Sequence, residues 1–419
     1  EQNRRGRTFA ASGVMNKEIP PTAGLPLRGR DLLSLSGDLA QSLARQFSIP
    51  RPALPCSGTA ALIIALRVLQ QRMPGRTRLI VPAYTCPLVA LAAHYCPPLR
   101  VVPCDLQPGS IDLDEQHLKQ LCDDSTLAVV VTHLAGRVAD VDAAKRIAES
   151  VGAAVIEDAA QALGALDDGR SVGLKGDVGF FSLALGKGLT TAEGGVLFSR
   201  DPVLHQALHR QCAQDLPLSL RWELQRSAEL WGYALLYQPR GLHYVYGKAL
   251  RTALAQGDEV AAVGDDFSVN DIPLHRLGGY RQKVGAAALA RLPDYLQQGR
   301  TRALRRAARL NDLPGVAVIM DRLGQQGTWP FLMVLMPSAQ ARDAAMAKLW
   351  TAGLGVTRLF IHTLPDYPAV APLLQPGGDI SQAQAFASRT LSISNSHWLT
   401  DEHFERVFAQ LKAIVATPD

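Results

Sequence analysis

The chain is short of several things, and each shortage removes a class of function. Its six cysteines, Cys56, Cys86, Cys96, Cys104, Cys122 and Cys212, form no CxxC pair and share no ligand spacing with histidine, so no metal site is expected. No secretory signal precedes them, and reduced thiols in a cytoplasmic protein are the expectation. The most membrane-like stretch, LWGYALLYQP at 230–239, is about half the length of a bilayer span. No membrane span is expected there, and core packing is favoured over rest on a membrane surface or a partner subunit. The net charge of +5 is small for 419 residues, and no basic module with interleaved aromatics is present, so nucleic-acid binding is not expected. The densest basic run, RTRALRRAARL at 300–310, spaces Arg302, Arg305, Arg306 and Arg309 along one side of a helix, which reads as a solvated face.

Two nucleotide signatures are missing as well. Gly186 and Lys187 form a GK pair, but Phe181 and Gly188 stand where a P-loop needs glycine and Ser/Thr. No GxGxxG follows a strand, since GLGVTR at 353–358 ends in arginine. Nucleotide hydrolysis and nicotinamide chemistry lose ground together. Internal repeats and low-complexity tracts are absent too.

What is present is ordinary globular composition, 47% hydrophobic and 19% charged, enough for one large α/β domain and a smaller one. From about 57 to 200, β-branched runs alternate with helical segments: TRLIVPAY, RVVPCD, LAVVVTH, AAVIED, VGFFSL and GGVLFS. That pattern predicts right-handed crossovers and a mostly parallel sheet sandwiched by helices. Between the runs, DVDAAKRIAESVG at 140–152 reads as a helix with an Asp cap and a terminal glycine. The expected organisation is a disordered extension at 1–14, a large domain at 15–245, a helical connector at 246–311 and a small α+β domain at 312–419.

Three segments carry chemistry, and all follow strands or open helices, where open sheets bind ligands. In CSGTAALIIALRVL, residues 57–59 precede an apolar helix, offering free N–H groups to an anion such as phosphate; a plain Ser/Thr cap is the alternative. VIEDAAQALGA at 155–165 ends a buried strand with Glu157 and Asp158, followed by Gln161. A carboxylate there needs a cation, whether an ordinary salt bridge or a protonated pyridine nitrogen. In FFSLALGKGLTTAEGG at 180–195, Lys187 sits in a glycine-flanked loop just past an apolar run, where a carbonyl compound could reach its amine and form a Schiff base.

Taken jointly and in this order, these motifs strongly resemble the DegT/DnrJ/StrS family of pyridoxal-phosphate sugar aminotransferases, of fold type I. Further likeness lies in VPAYTCPLVALAAHYCPPLRVVPCDLQPGSIDLD, in VVVTHLAGRVADVDAAKRIAESVGAAVIEDAAQALGA, and more loosely in GLGVTRLFIHTLPDYP and LSISNSHWLTDEHFERV. The resemblance implies a pyridoxal 5'-phosphate cofactor held covalently by Lys187, with Asp158 on the ring nitrogen and Gln161 beside the ring and its 3-hydroxyl. It assigns the phosphate to the Ser182 hydroxyl and to the backbone of Gly58, Thr59 and Ala60. It also implies an amino donor, glutamate, a keto sugar acceptor that is nucleotide-linked, and a homodimer with the site at the subunit interface.

The chain departs from the family pattern in places. Cys86 stands where an aromatic residue stacks on the cofactor, with Tyr84 two residues earlier. No asparagine follows the tyrosine in HRLGGYRQKVGAAALARL, leaving Tyr280 or Arg281 as candidates for the partner subunit's phosphate. Tyr84, His133, Arg358 and His362 are the candidate substrate residues. Dehydration of a sugar, a non-sugar keto substrate, and a non-catalytic cofactor-binding protein are the competing readings. Retention of Lys187, Asp158, Gln161 and Ser182 together argues for turnover.

Overall fold

The computed structural model describes residues 17–416 apart from 269 and 271, so the extension expected at 1–14 lies outside the described residues. Each of the six apolar runs forms a strand. In chain order these are β1 (Arg78–Pro82), β2 (Arg100–Cys104), β3 (Thr126–Thr132) and β4 (Ala154–Asp158). A short hairpin of β5 (Leu166–Asp167) and β6 (Arg170–Ser171) intervenes before β7 (Val178–Ser182) and β8 (Gly195–Phe198). The main sheet has the order β2-β1-β3-β4-β7-β8. Its first five strands run parallel, and β8 closes the edge antiparallel to β7. All seven residues of β3 are buried, as expected of a strand covered on both faces.

The period-two alternation of each strand divides the side chains between two cores. Leu79, Val81, Ala128, Val130, Ala154, Ile156, Val178 and Phe180 pack on one face with the helices Gly58–Arg72 and Pro87–His94. Ile80, Val102, Val129, Val131 and Val155 pack on the other with Glu115–Leu121 and Val141–Ser150. The latter helix is capped by Asp140, whose side chain accepts from the Ala143 N–H, as its sequence suggests. β1 and β3 are neighbours whose onward connections run to opposite sides of the sheet, a topological switch point, and ligands gather at the carboxyl ends of strands there.

A second sheet, antiparallel throughout, has the order β12-β13-β11-β9 and is built from β9 (Ala317–Val318), β11 (Phe331–Leu335), β12 (Val356–Thr357) and β13 (Thr390–Ser394). The short β10 (Gln325–Gln326) pairs instead with β5. β11 joins the halves of the molecule: Phe331, Met333 and Leu335 enter the core of the main sheet, while Leu332 and Val334 enter a core with Phe404, Val407 and Leu411 of the helix Asp401–Val415.

Helices fill most of 246–311, yet they do more than connect. Leu250, Leu254 and Ala262 pack into the core of the second sheet. The arginine-rich helix Leu292–Asn311 also corrects an expectation in part, because only half of its basic run forms a solvated face. Arg302 and Arg306, four residues apart, turn inward, donating to the carbonyls of Asn395 and Leu399 at 2.6 Å each. Arg305 and Arg309 form the outer pair and meet Asp401 and Glu405. The stretch at 230–239 is split the same way: Leu230 and Tyr233 are buried, Trp231, Leu235 and Leu236 exposed. Among the described residues no helix is long and apolar enough to cross a membrane.

One close approach ties the sheet to the future site. A Cβ on Gly195, at the start of β8, would lie 2.2 Å from the Ser57 carbonyl oxygen and 3.2 Å from the Gly58 nitrogen. Only glycine lets the edge strand pass beneath the start of the Gly58–Arg72 helix. Gly195→Ala should therefore cost about 1–3 kcal/mol in urea unfolding and weaken binding of inorganic phosphate or a phosphorylated ligand at that helix start. An unchanged unfolding midpoint would show that the close approach carries no energetic weight.

Candidate active site

A cavity of about 470 Å³ opens at the carboxyl ends of the parallel strands and is lined by Asp158, Ser182, Lys187, Gln161, Cys86, His133, Gly58 and Thr59 among others. Strand alternation explains the convergence. Asp158 follows Ile156 and Ser182 follows Phe180 on the face of the Gly58–Arg72 helix. A Cβ on Gly58 would lie 3.2 Å from the Ser182 Cβ, so the helix start and the serine hydroxyl share one corner. Ser57 caps that helix by accepting from the Ala60 N–H at 3.0 Å. The Ala60 donor is thus already engaged, leaving Gly58 and Thr59 to face the cavity.

Asp158 is buried, and among the described residues its carboxylate accepts one hydrogen bond, from the Ala160 N–H at 3.0 Å. Burial pushes its carboxyl up, against the pull of that bond and of Lys187. Burial acts on the Lys187 amine in the opposite sense and holds it below the ordinary lysine range, with Cys86 and Asp158 opposing. Among the described residues the amine makes no hydrogen bond. Two groups that each want a counter-charge therefore face the same space without meeting. Gln161 lies in a turn rather than a helix. Its Oε1 accepts from the Ala135 N–H at 2.7 Å, which leaves its amide N–H groups to donate.

The lysine loop is held from two sides. Gly186 adopts the left-handed conformation, φ +78°, which favours glycine. The Gly186 and Gly188 carbonyls accept from the Thr22 hydroxyl at 2.7 Å and the Leu25 N–H at 3.0 Å. Thr22 also lines the cavity, in a segment that carries no motif. On the far side, Arg281 donates to the Thr191 carbonyl at 3.0 Å and to the Glu193 carbonyl, and pairs with Glu223. The residue considered for a partner subunit's phosphate is instead fully buried, drawn inward by Glu223 to clamp its own chain's loop. Tyr280 likewise turns inward, donating to the Leu32 carbonyl at 3.0 Å.

The candidate substrate residues divide. His133 borders the cavity, but both ring nitrogens are committed: Nδ1 accepts from the Ala139 N–H at 3.1 Å, so Nε2 carries the proton and donates to Glu157 at 2.9 Å. Tyr84 lies outside the cavity wall, its hydroxyl spent on the backbone of Phe360. Arg358 and His362 fall in a separate depression, where Arg358 is held by Glu259 at 2.8 Å and by the Ile361 carbonyl at 2.7 Å. Cys86 caps the helix Pro87–His94 at the cavity wall, where burial pushes its thiol up to about 12. It keeps its proton at neutral pH. A residue without a motif, Asp265, contributes a further carboxylate to the wall; the only hint in its sequence is a GDD triplet ending a short helix.

Pyridoxal phosphate fits these residues. Asp158 is a buried carboxylate short of a cation, Lys187 an amine kept reactive by burial, and the corner at Gly58 and Ser182 joins a helix start to a hydroxyl. Glu157 supports them from the opposite face. Burial alone would raise its carboxyl, but the His133 ring and the Gly173 and Gly176 N–H groups, at 2.6 and 2.5 Å, outweigh this and hold it below the ordinary range. Such a depressed group stabilises the fold above its unfolded value and loses that contribution as pH falls through the folded one. Glu157→Gln should cost about 3 kcal/mol at neutral pH and flatten the acid limb of stability below the usual carboxylate range. Urea midpoints from pH 3 to 7 measure both, and parallel curves for the two proteins would refute the role.

Comparison with known proteins places this arrangement. A sequence profile of the DegT/DnrJ/EryC1/StrS aminotransferase family matches residues 33–220 and 275–412. The L-glutamine:2-deoxy-scyllo-inosose aminotransferase of Streptomyces kanamyceticus is 35% identical over 42% of this chain and 42% of its own length, so the chain spans less than half of that relative. GDP-perosamine synthase of Caulobacter vibrioides is 37% identical over 87% of this chain and 85% of its own. Among solved structures, that of DesI in the presence of its TDP-sugar product superposes with a TM-score of 0.71 at 20% identity, over 98% of this chain and 96% of that one, a likeness of fold. With its profile match spanning most of its length and its fold shared, the chain belongs to the DegT/DnrJ/EryC1/StrS aminotransferase family.

Proposed function

We propose that the protein moves an amino group from an amino acid, glutamate, to the ketone of a sugar-like acceptor, working as a homodimer. The observation that carries this reading is the pairing of Lys187 and Asp158 in one cavity, a buried amine and a buried carboxylate with no hydrogen bond between them. A protein that merely bound a small molecule would have no use for both.

Pyridoxal phosphate, when bound, supplies an electron sink for the carbon that loses its proton. Every other part falls to the chain. Lys187, its amine disposed by burial to be neutral, would hold the cofactor's carbonyl carbon and, once displaced, carry the proton between the substrate's carbon and the cofactor. Asp158 would keep the ring nitrogen protonated. Gly58, Thr59 and Ser182 would anchor the phosphate, and the Gln161 amide would donate to the ring hydroxyl. Thr22 and Arg281 keep the lysine loop in register from either side. The second half of the cycle repeats these roles in reverse on the acceptor ketone.

Lys187→Ala should abolish covalent capture of the cofactor. Borohydride reduction followed by mass spectrometry should add the cofactor's mass to the unsubstituted protein and nothing to the variant, with amino transfer down by about a thousandfold or more. Asp158→Asn should keep the covalent capture yet slow transfer by about a hundredfold. Full turnover in the lysine variant would overturn the assignment.

A further inference from the structure

We propose that the protein rests on the surface of an anionic lipid bilayer, held there by the outer face of the helix Leu220–Leu236 and by the cations beside it. Among the described residues none of 218–245 lines the cavity, so this surface is independent of the amino-transfer reading. Eight of the fourteen exposed large apolar side chains among the described residues fall within 218–245. A concentration of that kind marks a surface that something covers. Residues 221–274 also lie outside both matched parts of the family profile, so the segment is not part of the frame that the family shares.

The helix is two-sided. At about 3.6 residues per turn, Leu220, Leu224, Trp231 and Leu235 fall within about 60° of its circumference and extend over about 22 Å. They are 72%, 74%, 43% and 67% exposed. Ala228, exposed as well, completes the arc, and no polar side chain interrupts it. Leu230 and Tyr233 face the other way and are buried. The Tyr237 hydroxyl, just past the helix, donates to the Thr22 carbonyl at 2.9 Å, so the inner side is seated on the segment that holds the lysine loop. Core packing thus accounts for one side of this stretch and leaves the other bare.

Charge selects the occupant. The acids of 17–35 and 218–251 are all committed to arginines: Glu18 to Arg251, Asp31 to Arg291, Glu223 to Arg281 and Glu229 to Arg226. Arg221 at the start of the helix, Arg240 just past its end and Lys248 beyond are exposed and, among the described residues, have no carboxylate partner. The apolar stripe is therefore accompanied by free cations and by no free acid. Such a surface meets anionic headgroups while its apolar side chains enter the edge of the acyl layer. Trp231 on the stripe and Tyr244 after it, both exposed, are of the kinds that settle at that boundary. A second copy of this face could offer those cations no free carboxylate. A two-stranded helical seam would need an apolar residue where Ser227 stands.

The test sediments the full chain with vesicles of phosphatidylglycerol or of phosphatidylcholine. Binding to the anionic vesicles should be about tenfold tighter or more, should weaken as salt is raised, and should shift tryptophan emission to the blue. Trp231→Phe should keep the binding and lose most of that shift. Arg221→Gln, Arg240→Gln and Lys248→Gln together should remove the preference for phosphatidylglycerol, with the apolar stripe left intact. Leu224→Gln with Leu235→Gln should weaken binding to it by about tenfold or more. All five substituted side chains are exposed, so circular dichroism and the urea midpoint should not move. Absence of binding to phosphatidylglycerol, equal binding to both lipids, or variants that bind as the unsubstituted chain does would overturn the proposal. So would a leucine variant whose mass by light scattering falls to half that of the unsubstituted assembly, because the stripe would then belong to a second copy of the chain.

Discussion

At the end of β4, two adjacent carboxylates must point to opposite faces of a sheet that is buried on both sides, and the rest of the site depends on that alternation. Glu157 goes to one face and is satisfied three times over, by the His133 ring and two loop N–H groups. Asp158 goes to the other and is left nearly bare. The first fixes the carboxyl end of β4 against its surroundings. The second presents to the cavity a charge that the fold itself does not neutralise. A one-residue slip in register would exchange the two roles and leave neither workable.

The cavity is consequently a place where the protein forgoes stability. Among the described residues the carboxylate has one hydrogen bond and the amine none, so both buried groups count against folding, and their cost is met by the packed cores beneath. That imbalance is the physical reason for proposing that a cationic, carbonyl-bearing ring is held here, since it would neutralise one group and bond to the other. The surrounding hydrogen bonds, from Thr22 and Arg281 to the lysine loop and from Ala135 to Gln161, hold the lysine loop and the Gln161 amide in place before any ligand arrives.

Much of this was legible in the sequence, and the reasons are local. The six strands announce themselves because both faces are apolar, and Asp158, Ser182 and Lys187 are readable because each follows such a run. The Asp140 and Ser57 caps are likewise statements about three or four neighbouring residues. The arginines were misread because their direction is decided far away. Arg281 is drawn inward by Glu223, 58 positions distant, and Arg358 by Glu259, 99 positions distant. Asp265 and Thr22 gave little warning for the same reason: each matters through what it touches across the fold.

The segment that begins the described chain ties together parts made at very different times. Glu18 and Ile19 donate to the carbonyls of Pro239 and Gly353, Ala23 donates to that of Pro330, and Thr22 and Leu25 hold the lysine loop. A chain leaving the ribosome makes this strap before its anchors, and two of them, Pro330 and Gly353, follow it by more than 300 residues. The six-stranded sheet can assemble earlier, since its strands end by residue 198. The lysine loop therefore takes its final shape late, after long-range closure, and a nascent chain can own a finished sheet while still lacking a working place for its cofactor.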